Sequence, residues 1–414
     1  MRKPIALSLS LVACAVFGDY EPSKGNLLHR QAFADSKFGI FIHFGLYAQY
    51  AQGEWYFQKD GLKASEYKKG AKGFYPIGFN AKEWIRTFKA AGAKYVTITS
   101  RHHDGFSLFD TKHNDFNMMN TPFGRDVLKE LSDACRAEGI ALGFYYSLID
   151  WTREDFPWQR FKHWAGAFQA ELDPEKQDYV SYLSFMKAQL TELLTNYGSL
   201  NCIWFDGEWA MTKGFDWKFE EIYGHIHSIQ PDCLIINNHH HGLREGEDGQ
   251  TFERDLPGEN KIGFSSGQEV ASVPLETCDT MVNGAWGYHV KETEWKDADT
   301  CIQYLIRAAA KGANLLLNIG PRADGRIPDQ AVETLSGIGK WLSVHGDTIY
   351  GTTAGPVRVG ETIVSTRRGD TVFVHVLDRE VKVFSFEVDG KFYTERVPDA
   401  EGPDRIVTIR LVRN

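Results

Sequence analysis

The stretch Tyr95-Val-Thr-Ile-Thr-Ser-Arg-His-His-Asp-Gly-Phe106 decides the fold. Its first six residues are mostly β-branched or aromatic and read as a buried strand. Arg101, His102, His103 and Asp104 follow at once, before a glycine. The same order, an apolar run and then a polar side chain, recurs along the chain. Phe38–Phe44 carries His43, Leu142–Ser147 carries Tyr146, Cys202–Asp206 ends on its acid, and Leu234–Asn237 runs into Asn238. A sixth β-rich run covers Asn314–Ile319.

Segments of helical period separate most of these runs. Gly124–Gly139 sets Val127, Leu128, Leu131 and Cys135 on one stripe, with Asp126 at the electropositive start. Tyr179–Tyr197 and Asp297–Lys311 read likewise, and Gly92, Gly139, Gly198 and Gly312 stand where helices stop. Strand alternating with helix means parallel pairing with right-handed crossovers. An open doubly wound sheet would gather its functional groups at one switch point, normally beside a Gly-rich phosphate loop. No such loop follows any strand here. A closed barrel brings the carboxyl ends of all strands to one mouth, which suits polar residues at five strand ends. The expected fold is therefore α/β, a (β/α)8-like TIM barrel over residues 22–348.

Beyond Gly346 the period changes from helical to alternating, at Thr371–Leu377, Val381–Phe386 and Ile406–Leu411, with turns at Arg368-Gly-Asp370 and Asp389-Gly390. Residues 349–414 are expected to form a small C-terminal antiparallel β-sandwich that leans on the barrel.

Composition limits the partners. Of 414 residues, 43% are hydrophobic and 24% charged, which excludes disorder and coiled coil. The net charge of −9 lacks the basic face a nucleic-acid binder needs. No apolar run of membrane-spanning length follows the first twenty residues. Those twenty differ: Met1-Arg2-Lys3 precedes an apolar or small run from Ile5 to Phe17. Residues 1–18 read as a secretory signal, so the protein is expected to be exported to the periplasm or beyond the cell. Leu11-Val12-Ala13-Cys14 also resembles a lipoprotein box, which would make Cys14 the lipidated first residue of an outer-membrane lipoprotein. The other cysteines, at 135, 202, 233, 278 and 301, have neither zinc spacing nor the density of a disulfide framework.

The strongest chemical signal is Ile203-Trp-Phe-Asp-Gly-Glu-Trp209. An acid ending a buried strand before a glycine projects rigidly into the mouth, between aromatic surfaces of the kind sugars stack on. Capping the next helix is the structural alternative for Asp206. Adjacent strand residues point to opposite faces, so His102 and His103 share one site only where the strand has broken into loop. Neither that pair nor His239-His240-His241 has metal-site spacing, and no metal or cofactor is expected. His43, Glu54, Trp55, Tyr146 and Trp286 complete a mixture suited to a polyhydroxylated, uncharged ligand. On these residues a metal-dependent barrel hydrolase and a catalytically inactive sugar-binding surface protein remain alternatives.

Several stretches together resemble one family. They are Lys37–Gly45, Glu54-Trp-Tyr56, Tyr95–Phe106, Gly143–Ser147, Trp204-Phe-Asp-Gly207, Trp286-Gly-Tyr288 and Gly312–Pro321, running in the family's order. The chain is similar to the α-L-fucosidases of glycoside hydrolase family twenty-nine. That resemblance implies an exo-acting retaining enzyme that removes terminal α-L-fucose from oligosaccharides or glycoconjugates. It implies Asp206 as nucleophile and His43, Glu54, His102 and His103 as partners of the fucose hydroxyls. Tyr146 would then stand near the anomeric centre, with Trp286 and Trp55 lining the sugar pocket. The acid/base is implied to be Glu253 in Thr251-Phe-Glu-Arg-Asp-Leu-Pro257, with Glu276 as the alternative. The family's Trp-Glu-x-Cys element departs here to Leu275-Glu276-Thr277-Cys278.

Overall fold

The structure, a computed structural model, describes residues 20–161, 171–264, 268–388 and 390–411. The expected export signal and Cys14 lie outside the described residues. Eight strands form the first sheet: β1 (Phe38–Ile42), β2 (Tyr95–Arg101), β3 (Ala141–Ser147), β4 (Cys202–Asp206), β5 (Leu234–Asn237), β6 (Gln250–Glu253), β7 (Leu275–Thr280) and β8 (Ala313–Ile319). Their order is β5-β4-β3-β2-β1-β8-β7-β6, and every pairing is parallel. One parallel bridge, Ile236 to Gly249, joins the two edges. The ring is thus a barrel with one thin seam. No helix stands between β5 and β6, nor between β6 and β7 among the described residues, so that side is (β/α)8-like rather than regular.

Strand alternation sorts the side chains into two cores. Ile40, Ile42, Phe144, Ile203, Phe205 and Leu317 face outward and pack on the surrounding helices. Phe41, Tyr95, Tyr145, Cys202, Trp204 and Cys278 face inward and form a separate cluster that fills the barrel. A filled interior leaves space only at the mouth. The helix Val127–Glu138 illustrates local consistency: Asp126 caps it by accepting from the Lys129 amide at 2.8 Å, and Gly139 ends it at φ 69°.

The C-terminal strands are β9 (Thr353–Val359), β10 (Ile363–Arg368), β11 (Thr371–Val376), β12 (Val383–Val388), β13 (Lys391–Arg396) and β14 (Arg405–Arg410). They pair antiparallel as a four-stranded sheet, β14-β11-β10-β9, and a two-stranded one, β12-β13. Val372, Val374, Phe384 and Phe386 build a core of their own between them. The unit leans on the barrel's last two helices. Gln303 donates to the Pro403 carbonyl at 2.8 Å and the Trp341 indole to Asp404 at 3.0 Å. The five described cysteines are buried free thiols.

Candidate active site

Asp206 ends β4 with the same inward parity as Cys202 and Trp204. Gly207 turns the chain at φ 102°, a conformation that favours glycine, and itself precedes the short turn Glu208–Ala210. Asp206 therefore caps no helix. Its carboxylate is held by three donors: Tyr145 O–H to Oδ2 at 3.0 Å, and Trp209 Nε1 and Asn238 Nδ2 to Oδ1 at 2.9 and 3.3 Å. Burial alone would raise its pKa. The bond and charge of His103, with the Trp209 and Tyr145 donors, outweigh that and bring it to about 2. Glu208 takes no part in this cluster, being paired with Arg244.

The Asn238 nitrogen also donates to Glu253 Oε2, at 2.8 Å. One nitrogen touching both carboxyl groups limits how far apart they lie. That shared donor sets an oxygen of each carboxyl group side by side at the mouth. Burial, and then the neighbouring Asp206 charge, push the Glu253 pKa up to about 7. The pair thus holds one acid ionised and the other protonated near neutrality, the division of labour that acid–base catalysis requires.

Glu276 is in a different layer. Register pairs Glu253 with Cys278 and Thr251 with Glu276, so Glu276 lies two residues lower, about 6.6 Å along the strand. Its oxygens accept from Tyr95 O–H at 2.7 Å and Trp204 Nε1 at 2.9 Å. Burial raises its pKa to about 7 as well, yet it is locked into the barrel floor and lines no part of the mouth.

His43, Trp55, His102, His103 and Trp286 join Asp206 and Glu253 around one cavity of about 410 Å³. The pairing of β2 with β3 shifts register between Thr99 and Arg101, and His102 and His103 follow in the loop, which is how both reach one site. Arg101 stays outside, bonded to Asp150 and lying 4.5 Å from the Tyr146 ring. Asn318 donates to the Trp286 carbonyl at 2.7 Å, so its oxygen is free to accept from His43 Nδ1 at 2.7 Å. Burial lowers the His43 pKa to about 3, which leaves its Nε2 a neutral acceptor for a ligand hydroxyl. Burial, then His103 and His43, hold His102 neutral too.

His103 is oriented from behind. The Ser147 hydroxyl donates to the Ile149 carbonyl at 2.7 Å and accepts from the Ile149 amide at 3.1 Å. Only a lone pair remains for His103 Nδ1, 2.7 Å away, so that nitrogen carries a proton. Nε2 then faces Asp206 Oδ2 at 3.5 Å.

Two expected residues are elsewhere. Tyr146 has outward parity: its hydroxyl donates to Gln189 at 2.8 Å beneath the helices, and Tyr145 occupies the place expected for it. The signal was available, since Leu142 and Phe144 share the outward face with Tyr146 and Ser147 shares the inward one with Tyr145. Glu54 borders the adjoining recess rather than the cavity, and its Oε2 accepts from the Trp286 and Gly287 amides at 2.9 and 2.8 Å. It supports the Trp286 loop. Among the described residues no group of three or more His, Cys, Asp or Glu side chains is placed to hold a metal ion. His239 is tied to Glu247 at 3.0 Å.

A close, unequally protonated carboxyl pair at an aromatic barrel mouth defines the class: a glycoside hydrolase. The comparisons give the family. The α-L-fucosidase family model matches residues 12–347. An α-L-fucosidase of Dictyostelium discoideum is 31% identical over 352 residues, covering 77% of this chain and 71% of that protein. Among solved structures, α-L-fucosidase isoenzyme 1 from Paenibacillus thiaminolyticus superposes with a TM-score of 0.82 at 32% identity, over 94% of this chain and all of that one. A Bacteroides thetaiotaomicron α-L-fucosidase, trapped as a covalent intermediate with 2-fluoro-fucosyl fluoride, gives 0.78 at 26% identity over 95% and 97% of the two chains. The chain belongs to the α-L-fucosidase family.

Proposed function

We propose that the protein is an exo-acting, retaining α-L-fucosidase, in which Asp206 is the nucleophile and Glu253 the acid/base. The observation that carries this reading is the single Asn238 nitrogen bonded to both carboxyl groups, one driven low and the other high in pKa. Glu253 protonates the glycosidic oxygen as the bond to the anomeric carbon breaks, its electron pair leaving with that oxygen. Asp206 attacks the same carbon from the opposite face and forms a β-linked ester. Glu253, now a carboxylate, takes a proton from water, which displaces Asp206 and returns the original α configuration. His43 Nε2 accepts from a sugar hydroxyl, and Trp286 and Trp55 offer apolar faces to the ring and its methyl group. A cavity floored by Trp204 and Phe41 takes one terminal sugar, which favours exo action.

The decisive experiment is trapping with a 2-fluorinated α-L-fucosyl donor followed by peptide mapping. The label is expected on Asp206; a label on another residue, or product of inverted configuration by NMR, rejects the reading. Export through residues 1–18 is part of the same proposal, with Cys14 the alternative first mature residue. Sequencing the N-terminus of the secreted protein tests it.

A further inference from the structure

The cavity accounts for the fucose but not for what is attached to it. If Glu253 delivers a proton to the glycosidic oxygen, the sugar beyond that oxygen must lie near the side chains that border Glu253. His240 is one such neighbour, its Nε2 3.7 Å from Glu253 Oε2. Its backbone sits at φ 61°, in the left-handed region where a residue with a side chain persists only if its surroundings impose it. They do: His239 is fixed to Glu247 through Nε2, and its Nδ1 accepts from the His241 amide at 3.0 Å. The turn therefore presents the middle ring of three to the acid. That ring meets Phe264 with centroids 5.4 Å apart. Phe264 is 47% exposed, an aromatic side chain left open to solvent beside the catalytic mouth.

We infer that His240 and Phe264 form the leaving-group subsite, an aromatic ledge that takes the pyranose ring released from fucose. The inference rests on Glu253 as the acid/base. Its chemistry is that of a neutral sugar: one apolar ring face for Phe264, and hydroxyls within reach of the acid and its histidine neighbour. No cofactor is needed, and the subsite adds selectivity for what fucose is attached to.

The test compares two kinds of substrate. α-L-Fucosyl fluoride carries no leaving-group sugar and departs without an acid, whereas a panel of α-L-fucosyl disaccharides fills the subsite. Phe264→Ala is expected to lower the ratio of kcat/KM on the best disaccharide to that on the fluoride about tenfold. His240→Gly, which suits the left-handed backbone, should lower it in the same direction. A ratio unchanged in both variants overturns the inference, and so does an equal loss on both substrates. Failure of the underlying reading looks different: Glu253→Gln would then keep the wild-type ratio, whatever the ledge variants do.

Discussion

Tyr145 donates its hydroxyl to Asp206 across 3.0 Å, while Tyr146, the next residue, turns outward to Gln189. The two side chains are chemically identical, so parity alone separates a group at the reaction centre from a packing residue. Tyr145→Phe removes one of three donors to Asp206, the proposed nucleophile, and is expected to lower kcat/KM by about 10- to 100-fold. Tyr146→Phe should stay within threefold of wild type in activity and cost about 1 kcal/mol of stability. Steady-state kinetics and denaturant melts on both variants check this. Reversed effects would place the wrong tyrosine in the site.

The pH profile follows from the unequal pair. On the proposed roles, Asp206 must be ionised and Glu253 protonated. With pKa values of about 2 and about 7, both hold across the acidic range, and activity falls as pH rises through 7. Above that point kcat/KM should drop about tenfold per pH unit. With fucosyl fluoride, which needs no acid, the alkaline limb of kcat/KM should be absent in the wild type and in Glu253→Gln alike. Its persistence there would assign the limb to another group.

What could be read in advance tracks the physics of each element. Six barrel strands were legible because their apolar runs are buried on both faces. Strands β6 (Gln-Thr-Phe-Glu) and β7 (Leu-Glu-Thr-Cys-Asp-Thr) were not, since polar residues, the inward Glu253 and Glu276 among them, interrupt the apolar run. That Asp206, His43, His102 and His103 line one cavity was legible because strand ends converge in a barrel. Glu253 could not be separated from Glu276 without register, because both are buried glutamates on neighbouring strands and only a two-residue offset puts one at the mouth. The bond from the Trp286 amide to Glu54 was not legible, because it spans 232 residues of sequence.

That offset yields a direct contrast. Glu276→Gln keeps an acceptor for Tyr95 or Trp204 and should retain turnover within about tenfold. Glu253→Gln should lose about a hundredfold or more on substrates with poor leaving groups. Glu276→Ala leaves two buried donors and a cavity, with an expected cost of about 2–5 kcal/mol read as a lowered unfolding midpoint. Equal kinetic damage from the two Gln variants would reopen the choice of acid.

Ser147 acts one step behind the chemistry. Because its hydroxyl proton is committed to the Ile149 carbonyl, it can only accept from His103, and this fixes which imidazole edge meets Asp206. Ser147→Ala removes that acceptor and lets the ring flip or change tautomer, while the buried volume barely changes. The expected result is a kcat/KM lowered about tenfold with a shifted pH dependence on the acidic side, because His103 no longer depresses the Asp206 pKa. Ser147→Thr, which keeps the hydroxyl, should recover most of the activity if the methyl group fits. A structural role alone predicts a fall in stability at constant pH profile. An unaltered profile in Ser147→Ala would therefore show that His103 holds its orientation without the serine.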